Sequence, residues 1–232
     1  MSRAYFITGT DTSVGKTFVG AGIASALREK GLSVGVMKPV ETGCTAVRNK
    51  LAPEDALTLK NACTPASSLD EINPYRFRAP LAPSIASRIQ GKRISLDVIK
   101  KAFSSIRSKH DITLVEGAGG LLTPLTGEKT MLDLCLYLEV PLIIVASSRL
   151  GCINHTLLTV SAARASKVKI KGIILNNADE DGRDSSRAYN MNEIKKLAKT
   201  PVLGEIPFLK GAKKCAPHAK LRGAFKAIAG IL

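Results

Sequence analysis

A chain of 232 residues with 45% hydrophobic and 23% charged side chains has the make-up of a globular protein that can bury one sizeable core. No apolar run approaches the roughly 20 residues of a membrane span, and the opening AYFITG lacks the layout of a signal peptide, so a cytoplasmic protein with no membrane partner is expected. The net charge of +15 suits any anionic ligand, but four Tyr, six Phe and no Trp leave no aromatic platform for single-stranded nucleic acid, so a solvated basic face is favoured over a nucleic-acid site.

In chain order, residues 4–8 predict a strand, 16–30 a helix and 33–37 a second strand. The stretch 42–94 is the least regular and predicts an insertion carrying short helices such as EDALTLKNA and PSIASRIQ. Beyond it, helix 96–108, strand 112–115, helix 131–138, strand 141–146, helix 154–166, strand 170–175, helix 192–199 and strand 202–206 alternate. Several of the strands are Ile- and Val-rich with little polar alternation, the pattern of strands buried on both faces. Parallel strands need helical crossovers, so the expectation is one α/β domain over 1–232, doubly wound, with a mostly parallel β-sheet flanked by helices. Cys44, Cys63, Cys135, Cys152 and Cys215 are odd in number, scattered and without a C-x-x-C pair, which reads as reduced, packed thiols rather than a disulfide frame or zinc site.

Each strand is followed by an unusual short segment: GTDTSVGKT, KPVETG, EGAGG, SSRLG, NN and PF. Ligands of open α/β sheets lie beyond the carboxyl ends of strands, so all of these converge on one edge. The first segment is a stretched phosphate loop, with five residues between Gly9 and Gly15 where the usual P-loop has four. It follows a strand and opens a helix, the context in which backbone N–H groups face phosphate, Lys16 reaches the outer phosphates and the Thr17 hydroxyl meets Mg²⁺. The extra residue leaves room beside the γ-phosphate for a second substrate. Lys38 ends a buried strand before Pro39 and must reach solvent or an anion. The plain reading is a surface lysine, but its placement on the same edge as Lys16 argues for the anion. Glu116 follows an apolar strand where P-loop proteins carry a metal-facing carboxylate. Asp55 has the weaker case, since an acid in a first helical turn commonly balances the helix dipole.

The segments YFITGTDTSVGKT, MKPVETG, EDAL, INPYRF, LVEGAGG, LGCINHTLLT, LNN and LGEIPFL, from Ser2 to about Leu209, occur in the order and spacing of the dethiobiotin synthetase family, which the chain resembles. The resemblance implies a P-loop NTPase-like fold and an enzyme that uses ATP and Mg²⁺ to close a cyclic urea from 7,8-diaminononanoate and CO₂ or bicarbonate. A carbamate and a carbamic-phosphoric mixed anhydride are the implied intermediates. It implies Lys16, Lys38 and Thr12 as catalytic groups, and Thr17, Asp55 and Glu116 as Mg²⁺ ligands. The same resemblance assigns Ser13, Val14, Gly15, Lys16, Thr17, Phe18, Asp55, Glu116, Gly117, Ala118 and Gly119 to ATP, with Asn176, Asn177, Pro207, Phe208 and Leu209 at the adenine. It also implies a homodimer, with Thr42, Asn154 and Tyr189 on the substrate. Asn154 reads equally as a helix N-cap. Asn177 stands where some members have Asp, Thr42 where some have Ser, and the basic stretch from Lys210 onward has no match. Two alternatives carry a P-loop. An amidotransferase-type synthetase needs a glutaminase domain that this length does not accommodate. A partition-type ATPase that binds DNA through a basic surface typically begins its loop with Lys-Gly-Gly, where TGTDT stands here.

Overall fold

The computed structural model describes residues 2–48, 50–64, 66–177, 184–210 and 219–232. Six parallel strands form the central sheet: β1 (Arg3–Gly9), β2 (Val34–Met37), β3 (Ile112–Gly120), β4 (Leu142–Ser147), β5 (Ile170–Asn176) and β6 (Val202–Ile206). Their order is β6-β5-β4-β1-β3-β2. All six predicted strands form, and Phe6, Ile7, Ile143, Ile144, Ile173 and Ile174 are wholly buried, as the unbroken apolar runs require.

The helices are α1 (Lys16–Glu29), α2 (Glu54–Ala62), α3 (Leu69–Ile72), α4 (Pro83–Ile89), α5 (Leu96–Ser108), α6 (Met131–Leu138), α7 (Cys152–Ala165), α8 (Arg187–Ala198) and α9 (Arg222–Ile231). The chain steps from β1 outward to β2 through α1, then returns through β3 and continues the other way through α6, α7 and α8. Right-handed crossovers put α1 on one face and the return helices on the other. The turn after β1 therefore lies where the direction of winding changes, the place at which such sheets open a crevice.

Several expectations shift. β3 continues to Gly120 rather than stopping at 115, so EGAGG is part of a strand that pairs Gly120 with Gly9 across a register shift. A side chain at Gly117 would place its Cβ 2.9 Å from the Phe6 ring, so glycine is what lets that extension lie beside β1. Helix α7 starts at Cys152 rather than 154 and is entered through Gly151 in the left-handed region at φ 90°, so Asn154 lies inside the helix and is not its N-cap. Helix α8 starts at Arg187 rather than 192. The unmatched tail ends in α9, which packs on α1 and β6 and buries Phe225, Ile228 and Ala229. The irregular insertion contains α2, α3, α4, an antiparallel hairpin of Thr45–Val47 with Lys50–Ala52, and a parallel pair of Val40–Glu41 with Tyr75–Arg76.

Cys44, Cys63, Cys135 and Cys152 are buried free thiols, and burial pushes Cys135 up to about 12. Cys215 lies outside the described residues, as does the stretch 211–218 of the basic tail. Among the described residues no helix is long and apolar enough to cross a membrane.

Candidate active site

One cleft of about 430 Å³ opens at the carboxyl ends of the strands. The stretched loop and the start of α1 supply Thr12, Ser13, Gly15, Lys16, Thr17 and Phe18, and the segment after β2 supplies Lys38, Glu41 and Thr42. Asp55 enters from α2, Glu116, Ala118 and Gly119 from β3, Asn176 and Asn177 from the end of β5, and Pro207, Phe208 and Leu209 from the turn after β6. Two expected residues contribute through the backbone instead. Val14 is buried and its carbonyl accepts from Asn176 Nδ2 at 2.9 Å, while the Gly117 carbonyl lies 3.4 Å from Lys38 Nζ. Asn154 and Tyr189 are exposed on α7 and α8 and do not line the cleft of this chain.

Local backbone geometry shapes the loop. Ser13 and Gly15 both sit in the left-handed region, at φ 59° and 88°, which curls the chain before α1 begins. A Cβ at Gly15 would lie 2.1 Å from Asn176 Nδ2, so the close approach of the loop to β5 excludes any side chain there. Lys16 folds back over the loop, and its Nζ donates to the Asp11 carbonyl at 2.9 Å. Burial, and then the neighbouring Lys38 ammonium, bring Lys16 down to about 8.

Lys38 is not a strand-end surface lysine. Its Nζ donates to Glu116 Oε1 at 2.5 Å and to Asp55 Oδ2 at 3.0 Å, and its side chain is 4% exposed. Burial alone pulls its pKa down, but the charges of Glu116 and Asp55 outweigh that effect and hold the ammonium protonated. Thr17 Oγ1 donates to the same Glu116 Oε1 at 2.8 Å. The second oxygen, Glu116 Oε2, is buried without a hydrogen-bond partner among the described residues. A buried carboxylate oxygen left without a partner is costly unless a ligand engages it.

Thr17, Asp55 and Glu116 thus converge as one hydroxyl and two carboxylates. This all-oxygen set and the orphaned Oε2 fit a hard divalent cation such as Mg²⁺, which takes a few protein ligands and completes its octahedron with phosphates and water. No group of three or more His, Cys, Asp or Glu suited to a metal occurs among the described residues. Three protein oxygens would leave the remaining octahedral positions to phosphates and water.

Glu41 is the cleft residue that sequence reasoning missed. It is buried, and its Oε1 and Oε2 accept from the backbone N–H groups of Asp55 at 3.0 Å and Ala56 at 2.9 Å. Burial pushes its carboxyl up to about 7, against the downward pull of Lys38 and the two helix amides. Its one signal in the sequence is an acid in KPVETG, just beyond a buried strand and its terminal lysine. At the far side of the cleft, Asn177 is held by its own N–H to the Ile206 carbonyl and by Nδ2 to Glu205 Oε1, both at 2.9 Å.

A family model described as an AAA domain matches residues 3–214. The ATP-dependent dethiobiotin synthetase BioD of Thermodesulfovibrio yellowstonii is 41% identical over 216 residues, covering 90% of this chain and 90% of that protein. The BioD protein of Bacillus subtilis is 38% identical over 212 residues, 91% of this chain and 90% of its own. That of an Anaeromyxobacter species is 43% identical over 195 residues, 84% and 85% of the two chains. Among solved structures, the MinD cell division protein of Aquifex aeolicus is similar with a TM-score of 0.63 at 17% identity, over 99% of this chain and 96% of its own. A ParA family ATPase of Chlorobium tepidum reaches 0.61 at 16% identity over 100% of both chains. At such identities the likeness shows a shared P-loop fold and carries nothing about partners.

Proposed function

Because the chain belongs to the dethiobiotin synthetase family, we propose that its cleft closes the cyclic urea of dethiobiotin from 7,8-diaminononanoate, CO₂ and ATP. The chain is an ATP-dependent ligase of biotin biosynthesis. The observation that carries the substrate reading is the pair Lys16 and Lys38, two lysines that line one cleft beside the phosphate loop. In the proposed sequence one amine of the substrate adds to CO₂ and loses a proton, giving a carbamate. A carbamate oxygen then takes the γ-phosphoryl group of ATP and releases ADP. The second amine attacks the carbamoyl carbon, the bond to phosphate breaks, and inorganic phosphate leaves as the ring closes.

Two anions must meet for the phosphoryl transfer, and their repulsion is the barrier that fixed positive charge lowers. Lys16 is assigned to the outer phosphates and Lys38 to the meeting point of carbamate and γ-phosphate, with Thr12 beside the carbamate and Thr42 on the substrate. Mg²⁺ held by Thr17, Asp55 and Glu116 would neutralise phosphate charge. Ser13 to Phe18 and Glu116 to Gly119 cradle the nucleotide, while Asn176, Asn177 and the turn Pro207 to Leu209 receive the adenine.

We place Asn154 and Tyr189 on the substrate's carboxylate tail across a homodimer, in a cytoplasmic enzyme. Asn154 and Leu158 lie four apart on α7, Leu150 precedes the helix at 81% exposure, and Tyr189 on α8 is 68% exposed, which supports a covered surface there. Sedimentation showing only monomer at micromolar concentration would remove that part of the reading. The partition-type, DNA-binding reading is not favoured: its support is a likeness of fold, against relatives of about 40% identity with another activity.

The test is phosphate release from Mg-ATP and bicarbonate with and without the diamine, together with the product's mass. Release that requires the diamine, and a product heavier than the diamine by CO₂ less one water, is expected. Release that is indifferent to the diamine overturns the substrate assignment.

A further inference from the structure

We propose that Glu41 is a positioning residue that holds Asp55 at the nucleotide side of the cleft. The inference rests on the reading of Asp55 as a metal-facing carboxylate.

Glu116 is carried by β3 within the central sheet and Thr17 by α1 packed against it, whereas Asp55 comes from the second position of the nine-residue α2, in the insertion. Local sequence gives the start of α2 only the dipole compensation of Glu54 and Asp55. Its N-cap is Pro53, which makes no side-chain cap, and a helix of this length has no independent stability. The missing cap comes from another element. Glu41 spreads its two carboxylate oxygens over the first turn of α2, one on the N–H of Asp55 and one on that of Ala56. Carboxyl oxygens on both amides satisfy two of the donors that a helix N-terminus leaves without intrahelical partners.

Glu41 is itself immobilised. Its strand pairs with Tyr75–Arg76, its carbonyl accepts from the Phe77 N–H at 2.9 Å, and the nearby Lys38 carbonyl is held by Asn73 Nδ2 at 2.6 Å. The same short segment thus fixes Lys38 and, through Glu41, the Asp55 carboxylate that Lys38 meets at 3.0 Å. Removing Glu41 releases the first turn of α2 and lets Asp55 move relative to Thr17 and Glu116.

The experiment titrates Mn²⁺ into protein saturated with ADP, so that nothing turns over, and reads bound metal by electron paramagnetic resonance. Glu41→Gln keeps the shape but turns an N–H toward one of the two amides, and we expect Mn²⁺ affinity to fall about tenfold, within the 10- to 100-fold range of outer-shell losses. Asp55→Asn supplies the reference, and Glu41→Gln made in that background should add little, because both changes act through one carboxylate. Unchanged Mn²⁺ affinity in Glu41→Gln, or full additivity with Asp55→Asn, overturns the proposal and leaves Glu41 a plain helix cap. If wild-type protein fails to bind Mn²⁺ with ADP, the reading of the metal site falls first and this inference with it. Because the deciding variant is the isosteric one, a Glu41→Ala protein that fails to fold does not affect the outcome.

Discussion

Glu116 and Glu71 are built from the same parts. Glu116 Oε1 accepts from Lys38 and the Thr17 hydroxyl, and Glu71 Oε1 accepts from Lys109 at 3.0 Å and the Ser105 hydroxyl at 2.9 Å. They differ in water and in completeness. The Glu71 and Lys109 side chains are 31% and 42% exposed, and the second Glu71 oxygen is satisfied by the Ser68 N–H in a capping box. Glu116 and Lys38 are 1% and 4% exposed, and Glu116 Oε2 has no partner among the described residues. In water such a group fastens α3 to α5 and contributes little more. In the interior the same charges cannot be screened, so each depends on the other, and one carboxylate oxygen stays without a partner among the described residues.

The largest effect expected from that contrast is at Lys38. Lys38→Ala strips the buried carboxylate of its counter-ion, so nucleotide-free protein should lose about 3–5 kcal/mol in urea denaturation. Ring formation should fall at least about 100-fold, while ADP binding to the folded fraction persists. Wild-type stability would mean that Glu116 does not need the pair. Next, Gly15→Ala should weaken nucleotide binding at least about tenfold, since φ 88° costs an alanine roughly 1–2 kcal/mol and its Cβ meets Asn176 besides. Fluorescent-ADP titration checks this.

A moderate effect is expected from pH. Lys16 binds phosphate as the ammonium, and with its pKa lowered to about 8 the charged form is lost as pH rises through that value. The kcat/KM for Mg-ATP, which reports the free enzyme, should therefore decline above pH 8 or so; a level profile there would contradict the assignment. The smallest effect belongs to Glu71, whose hydrogen bonds bring it from the ordinary 4.5 down to about 2. A carboxylate with a depressed folded pKa contributes fully above its unfolded value and loses the contribution as pH falls through the folded one. Glu71→Gln should thus lower stability by under about 1 kcal/mol at neutral pH, and the difference should vanish as pH falls from 4.5 toward 2. Urea unfolding at both pH values measures it.

The central strands were legible because strands buried on both faces carry nearly unbroken apolar runs, Ile- and Val-rich in β4 and β5, whereas the edge strand β6 is only half-buried. Most residues lining the cleft follow strand ends that share an edge and were legible for that reason, whereas Asp55 comes from α2 and was pointed to only by the resemblance. Glu41 was not, because its task is to cap a helix that begins a dozen residues later in sequence, a relation with no local pattern. Helix α9 was overlooked, although Leu221, Phe225, Ile228 and Leu232 recur at helical spacing, because two glycines within ten residues argue against a helix there. Asn154 looked like a cap and lies inside its helix, because Gly151 reaches the left-handed conformation that admits the chain to α7.

By itself the sequence determined the order of strands and helices, the phosphate loop, and which lysines and carboxylates stand at strand ends, because hydrophobic period and turn chemistry are local properties of the chain. Only the tertiary structure decided that Lys38 lies between Glu116 and Asp55, that Glu116 keeps a buried oxygen without a partner, and that Glu41 grips α2. Those facts depend on burial and on distances between segments far apart in sequence, and charges acquire their strength from the low-dielectric surroundings that packing creates.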